Sequence, residues 1–225
     1  MLVNFHGPDW LFGIDVGIQL IGAIIALLIS LYGYKLYKLS STKADLYFSL
    51  AFLLLGFSFF IYAFLVPAVY IYYNYFSALD PGILLKGSHL LNFIFIFLTL
   101  GAYTILNLVY SKIKNPNAIL TVFILIFALD YFLYYSRSSF GLSIISALLA
   151  LLITINVFKN YTLKKNKNSL FVVIAFALIT LANVFFGLGS YINISFLFGH
   201  ITQLLGYSSL LIMLLRINYG HRKKK

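Results

Sequence analysis

The chain has 225 residues, 62% of them hydrophobic and only 9% charged. A water-soluble domain carries about a quarter charged residues, so a water-facing globule is excluded and the solvent must be lipid. The net charge of +11 collects at the ends of apolar runs rather than on a face with interleaved aromatics, which excludes nucleic acid as a partner, and the absence of Cys excludes disulfides, thiol redox centres, iron–sulfur clusters and Cys-held zinc.

About 20 predominantly apolar residues cross a bilayer, and seven such runs occur in order. The first is 11–34, followed by Lys35, Lys38 and Lys43. The second is 46–70, with Pro67 expected to kink or end it. A Tyr-rich gap follows, with Asp80-Pro81-Gly82 as a turn signal. The third is 88–110, followed by Lys112 and Lys114. The fourth is 118–135, with Arg137 beyond it. The fifth is 140–158, followed by Lys159, Lys164, Lys165 and Lys167. The sixth is 169–188 and the seventh 194–217. A basic tail, 218–225, ends the chain.

Fourteen of the sixteen Lys and Arg residues fall in every second gap or at the C-terminal end; the other gaps hold Lys86 and Arg137 alone. Retained cytoplasmic loops keep basic residues. The alternation therefore predicts an all-α, polytopic protein of the plasma membrane with seven spans, N-terminus outside and C-terminus inside. Helices are required because lipid offers no partner to backbone N–H and C=O groups. The first twelve residues hold no Lys or Arg, so no cleavable signal peptide is expected.

A shift of 124 residues superposes Lys35, Tyr37, Leu39, Lys43, Leu46, Ala51, Phe52 and Leu54 on Lys159, Tyr161, Leu163, Lys167, Leu170, Ala175, Phe176 and Leu178. Phe12-Gly13 likewise answers to Phe140-Gly141, and His89 with Asn92 to His200 with Gln203. The expected plan is 3+1+3: a three-helix repeat over 11–110, a linker helix over 118–135, and a second three-helix repeat over 140–217, parallel to the first. Gly13 and Gly17 form G-x-x-x-G and read as a close helix contact within the repeat.

Ionisable groups inside spans mark functional sites by default. Asp15, His89, Asp130 and His200 qualify, with Asn92 and Gln203 at similar depth, and all map to the outer half. They predict an outward-facing polar pocket for a ligand. The competing structural reading is that they are interhelical hydrogen bonds or interfacial groups. No metal and no cofactor is expected, since no two of these residues lie at i, i+4. Enzyme chemistry is not expected either, for want of any Glu, any His-x-x-x-His or any glycine-rich phosphate loop. The basic tail should attract anionic lipid.

Seven spans in this orientation resemble microbial rhodopsins, but the seventh span has no Lys for a retinal Schiff base. The 3+1+3 plan is similar to that of SWEET sugar carriers and other PQ-loop proteins, although no Pro-Gln pair is present. Tyr34-Lys35-Leu36-Tyr37-Lys38, the Leu- and Phe-rich run 46–55, and Gln203-Leu204-Leu205-Gly206 resemble an uncharacterised prokaryotic, archaeal-like membrane unit of three helices. That resemblance implies sensing or scaffolding with a membrane or cytoplasmic protein partner. The sequence thus points to a non-enzymatic binding, sensor or scaffolding component. A small-solute carrier and a membrane metal- or haem-binding protein are the alternatives.

Overall fold

The computed structural model describes residues 13–75, 81–111, 139–189 and 191–222, with scattered positions between 121 and 132. The described residues hold no strand. They form six long helices: α1 (Ile14–Ser40), α2 (Lys43–Tyr75), α3 (Pro81–Ser111), α4 (Ser139–Lys164), α5 (Lys167–Leu188) and α6 (Ile194–Arg222). Each contains a stretch long and apolar enough to cross a bilayer, and the chain is a multi-pass membrane protein. Of the expected linker span, 118–135, the described positions are helical and exposed. The Phe127 ring meets Phe93 and Phe97 at 6.2 Å each, which attaches this segment to α3.

The helices close into a ring. Each packs on its sequence neighbour, α3 packs on α4, and α6 returns to α1. One end of the ring holds the starts of α1, α3, α4 and α6. The basic turns α1–α2 and α4–α5 lie at the other. These two turns are built alike. Ser41 and Lys165 both take left-handed backbone, φ 56° and 43°, a conformation that costs an L residue about 1 kcal/mol. Each sends its N–H to a tyrosine carbonyl, Tyr37 or Tyr161, at 2.7 Å. A helix starts two residues on, at Lys43 or Lys167, and before the second of these the Asn166 side chain caps the Asn168 N–H at 3.1 Å. Ser41 and Lys165 are 124 positions apart.

The buried faces follow the same offset. Phe48, Ala51, Phe52, Leu55, Ser58, Phe59 and Ala63 of α2 are buried, and so are Val172, Ala175, Phe176, Ile179, Ala182, Asn183 and Gly187 of α5. In α1 and α4 the pairs are Gly22 with Ser146, Ala26 with Ala150, Ile29 with Ile153 and Gly33 with Val157. In α3 and α6 the offset is 104. Ile96, Thr99, Ala102, Tyr103 and Leu106 match His200, Gln203, Gly206, Tyr207 and Leu210, all buried. The Tyr207 hydroxyl lies against that of Tyr103 at the centre of the ring. The 20 residues of difference fall between α2 and α3, and α2 is 33 residues long against 22 for α5.

Four sequence expectations change. Pro67 neither ends α2 nor marks its limit; the helix runs on to Tyr75. One missing N–H is tolerated because ending the helix in lipid would strand several more backbone groups. Pro81 opens α3 instead of sitting in a turn, where its fixed φ and absent N–H suit a first helical residue. Gly13 and Gly17 make no close contact within the repeat, since among the described residues a methyl group on either would meet nothing within 4 Å. Close approach occurs deeper. At Gly206 a methyl would lie 3.0 Å from the Ala175 carbonyl oxygen, and at Gly56 it would lie 2.8 Å from Leu27. Finally, α6 continues past 217 to Arg222, so the basic tail begins as helix; Lys223–Lys225 lie outside the described residues.

Candidate functional site

Asp15 is in the first turn of α1, where the helix dipole favours a carboxylate. Six residues into α6, about 9 Å along that helix, stands His200. Closure of the ring brings the two together, with His200 Nε2 2.7 Å from Asp15 Oδ1. Both residues are buried, at 3% and 7% exposure. Tyr62 of α2 donates its hydroxyl to the other carboxylate oxygen, Oδ2, at 3.1 Å. A carboxylate taken out of water is tolerated only when paired and hydrogen-bonded; here Oδ2 accepts from Tyr62, while Oδ1 has the imidazole beside it but no hydrogen bond. The Phe186 ring of α5 meets the imidazole edge-on, with centroids 4.8 Å apart, and fixes its plane.

In neutral His200, a hydrogen placed on Nε2, the nitrogen 2.7 Å from Asp15 Oδ1, leaves the other nitrogen, Nδ1, a bare acceptor. Nδ1 is buried and has no hydrogen-bond partner, and neither has the hydroxyl of Ser146, which is 2% exposed. Buried polar atoms are normally satisfied. Ser146 and His200 line one cavity, and Asp15 Oδ1 beside His200 is a third such atom.

That cavity measures about 100 Å³. All six helices line it. Gln19 comes from α1, Phe59 and Tyr62 from α2, and Phe95, Thr99 and Tyr103 from α3. Leu142, Ser143 and Ser146 come from α4, Asn183 and Phe186 from α5, and Phe196, His200 and Gln203 from α6. Asn183 Nδ2 donates to the Tyr103 hydroxyl at 3.3 Å and to its own helix at Ile179 O, 2.8 Å. Gln203 Nε2 lies 3.5 Å from the Tyr207 hydroxyl. Below this layer the ring is packed with apolar side chains. Phe52 and Phe59 meet Tyr207 at 6.1 and 5.6 Å, and Tyr110 meets Phe176 at 5.5 Å.

Of the residues expected from sequence, Asp15, His200 and Gln203 come together here. Asn92 is half-buried on α3 and does not line the cavity. Asp130 and the side chain of His89 lie outside the described residues. Among those residues no group of three His, Cys, Asp or Glu side chains converges to hold a metal. Sequence reasoning missed Tyr62, Ser146 and Phe186. Tyr and Ser are ordinary residues of this chain, and nothing local marks these two; only depth along α2 and α4 would have placed them opposite Asp15 and His200. Compared with known proteins, the chain matches no family model, no curated protein and no solved structure.

Proposed function

We propose that this chain is a seven-span, N-out, C-in protein of the plasma membrane, formed by two parallel three-helix repeats around a linker helix, and that it works by binding a small ligand in the cavity rather than by catalysis. The observation that carries the reading is the set of buried atoms without a hydrogen bond, His200 Nδ1 and Ser146 Oγ on residues that line the cavity and Asp15 Oδ1 beside His200. The common 124-residue offset of turns and buried faces supports the repeat. The gathering of Lys residues at the end away from the cavity supports an outward-facing site. Binding would act as a signal through a membrane or cytoplasmic protein partner. At about 1 kcal/mol per charge, the basic tail would hold anionic lipid on the inner side. The carrier reading is weaker, because it needs a polar route through the half that Phe48, Phe52, Phe176 and Leu214 fill.

With no native Cys, single-cysteine labelling of intact cells by a membrane-impermeant thiosulfonate is clean. Tyr191→Cys, 75% exposed between α5 and α6, should label from outside. Gln19→Cys, in the cavity, should also label from outside, more slowly. Lys165→Cys should label only after permeabilisation. External labelling of Lys165→Cys would overturn the orientation. A Gln19→Cys variant that is inert from outside but reactive after permeabilisation would reverse the face of the pocket.

A further inference from the structure

A second hollow, of about 300 Å³, lies between α4 and α5 on the outer surface of the ring. Its rims are Ile144 and Leu148 on α4 and Val184 and Leu188 on α5, each 41–55% exposed. In a membrane protein such a surface meets acyl chains. Its floor includes Ser143 and Asn183, and these same two residues line the polar cavity. An apolar groove open to lipid therefore shares a wall with a polar cavity that holds two unsatisfied atoms.

The other half of the ring shows that the groove is not a general result of packing helices this way. Positions 124 residues before Asn183, Val184, Gly187 and Leu188 are Phe59, Phe60, Ala63 and Phe64. Three phenylalanines stand where α5 has Asn, Val and Leu, and Phe60 and Phe64 stack at 4.8 Å. On the matching seam between α1 and α2 these positions carry the larger rings, whereas the seam between α4 and α5 opens into the hollow.

The chemistry of the cavity limits the occupant's head. No described Lys or Arg lines it, so a carboxylate or phosphate would find no cation among the described lining residues. An ammonium group would compete with His200 for Asp15. An uncharged hydroxyl has the chemistry that both atoms call for: it can donate one hydrogen, to His200 Nδ1, and accept one, from Ser146 Oγ. We propose that cavity and groove form one site for a single-chain aliphatic alcohol drawn laterally from the bilayer, its hydroxyl between His200 and Ser146 and its chain between α4 and α5. The proposal rests on the cavity being a ligand site and adds the ligand's class and its route.

The test is thermal unfolding of the full chain in phosphatidylcholine nanodiscs, with 1-decanol, 1-monodecanoylglycerol, decane, decanoate or glycerol added. At saturation 1-decanol or the monoglyceride should raise the midpoint by about 5 °C, and the larger of the two shifts identifies a free alcohol or a glyceride as the source. Decane, decanoate and glycerol should give less than a quarter of that. Ser146→Ala removes an unsatisfied hydroxyl, so the variant should fold at least as well as the parent, yet it should lose most of the alcohol's shift. Val184→Phe with Leu188→Phe, which installs the residues of the filled seam, should lose it as well. Equal shifts with decane and decanol, or equal decanol shifts in the parent and both variants, would overturn the proposal. A shift with glycerol alone, abolished by Ser146→Ala but not by the Phe pair, would also overturn it while leaving the cavity standing as a polar ligand site.

Discussion

Helices α1–α3 and α4–α6 bury the same positions, but at the cavity they present different chemistry. Where α2 offers Phe59 and Tyr62, α5 offers Asn183 and Phe186. Where α6 has His200, α3 has Ile96. Asp15, at the start of α1, answers by number to Ser139 at the start of α4. The ring thus has two comparable junctions, α6 with α1 and α3 with α4. Among the described residues, only the first is closed by a paired acid and imidazole. The two halves share buried positions, and it is at the cavity that their chemistry parts.

The sharpest break of this comparison is to give one junction the residue of the other. His200→Ile installs the counterpart Ile96 and leaves the Asp15 carboxylate buried with Tyr62 alone. Removing one partner of a buried pair costs about 3 kcal/mol, so the unfolding midpoint should fall by several degrees. Asp15→Ser added to His200→Ile removes the stranded charge and should recover more than half of the loss. If the double variant is no better than the single one, the pair is not coupled and the asymmetry at this junction is incidental.

The buried faces were legible in the sequence, because the 124-residue identities run through residues that face the centre of the ring, such as Ala51 with Ala175 and Phe52 with Phe176. The pairing of Asp15 with His200 was not. It joins helices 185 positions apart and depends on the ring closing between its first and last members, which no local period reveals. The match of His89 to His200 uses an offset of 111, seven residues from the 104 that matches the described buried faces of α3 and α6. Both offsets keep a helix face, because seven residues are nearly two turns, and only the meeting of Tyr103 with Tyr207 fixes the depth. The glycines were misread for a related reason. Gly13 and Gly17 have the right spacing but lie at the rim, whereas Gly206 has no such motif and touches backbone.

That glycine gives a second contrast, smaller in effect. Gly206 corresponds to Ala102, a fully buried methyl on α3. At Gly206 the same methyl would lie 2.9 Å from Ile179 Cγ1 and 3.0 Å from a backbone oxygen, so α6 sits closer to α5 than a side chain allows. Gly206→Ala should cost about 2 kcal/mol through overpacking. The reverse exchange, Ala102→Gly, should cost about 1 kcal/mol through helix propensity. Equal losses, read by denaturant titration of both variants, would mean that the two contacts are equally tight.

The smallest difference lies at the hydroxyl clasps between paired helices. Ser30 and Thr154 are counterparts, and each meets a hydroxyl of the next helix, Ser49 at 3.2 Å and Thr180 at 3.1 Å. The protons go to different places. Ser49 donates across the seam to Ser30 O at 2.8 Å, which leaves the Ser30 hydroxyl free to donate to Ser49. Thr154 and Thr180 each donate to a carbonyl of their own helix, Ala150 O and Phe176 O, both at 2.8 Å, and no proton remains for the gap between them. A bond within one helix survives when helices separate, so it adds nothing to their association. Ser49→Ala should therefore weaken folding by about 0.6 kcal/mol, the usual worth of an interhelical bond in a membrane, and Thr180→Val by less than half as much. An equal loss for both, in matched titrations with a denaturing detergent, would show that the α4–α5 clasp shares a proton after all and that the two seams are held in the same way.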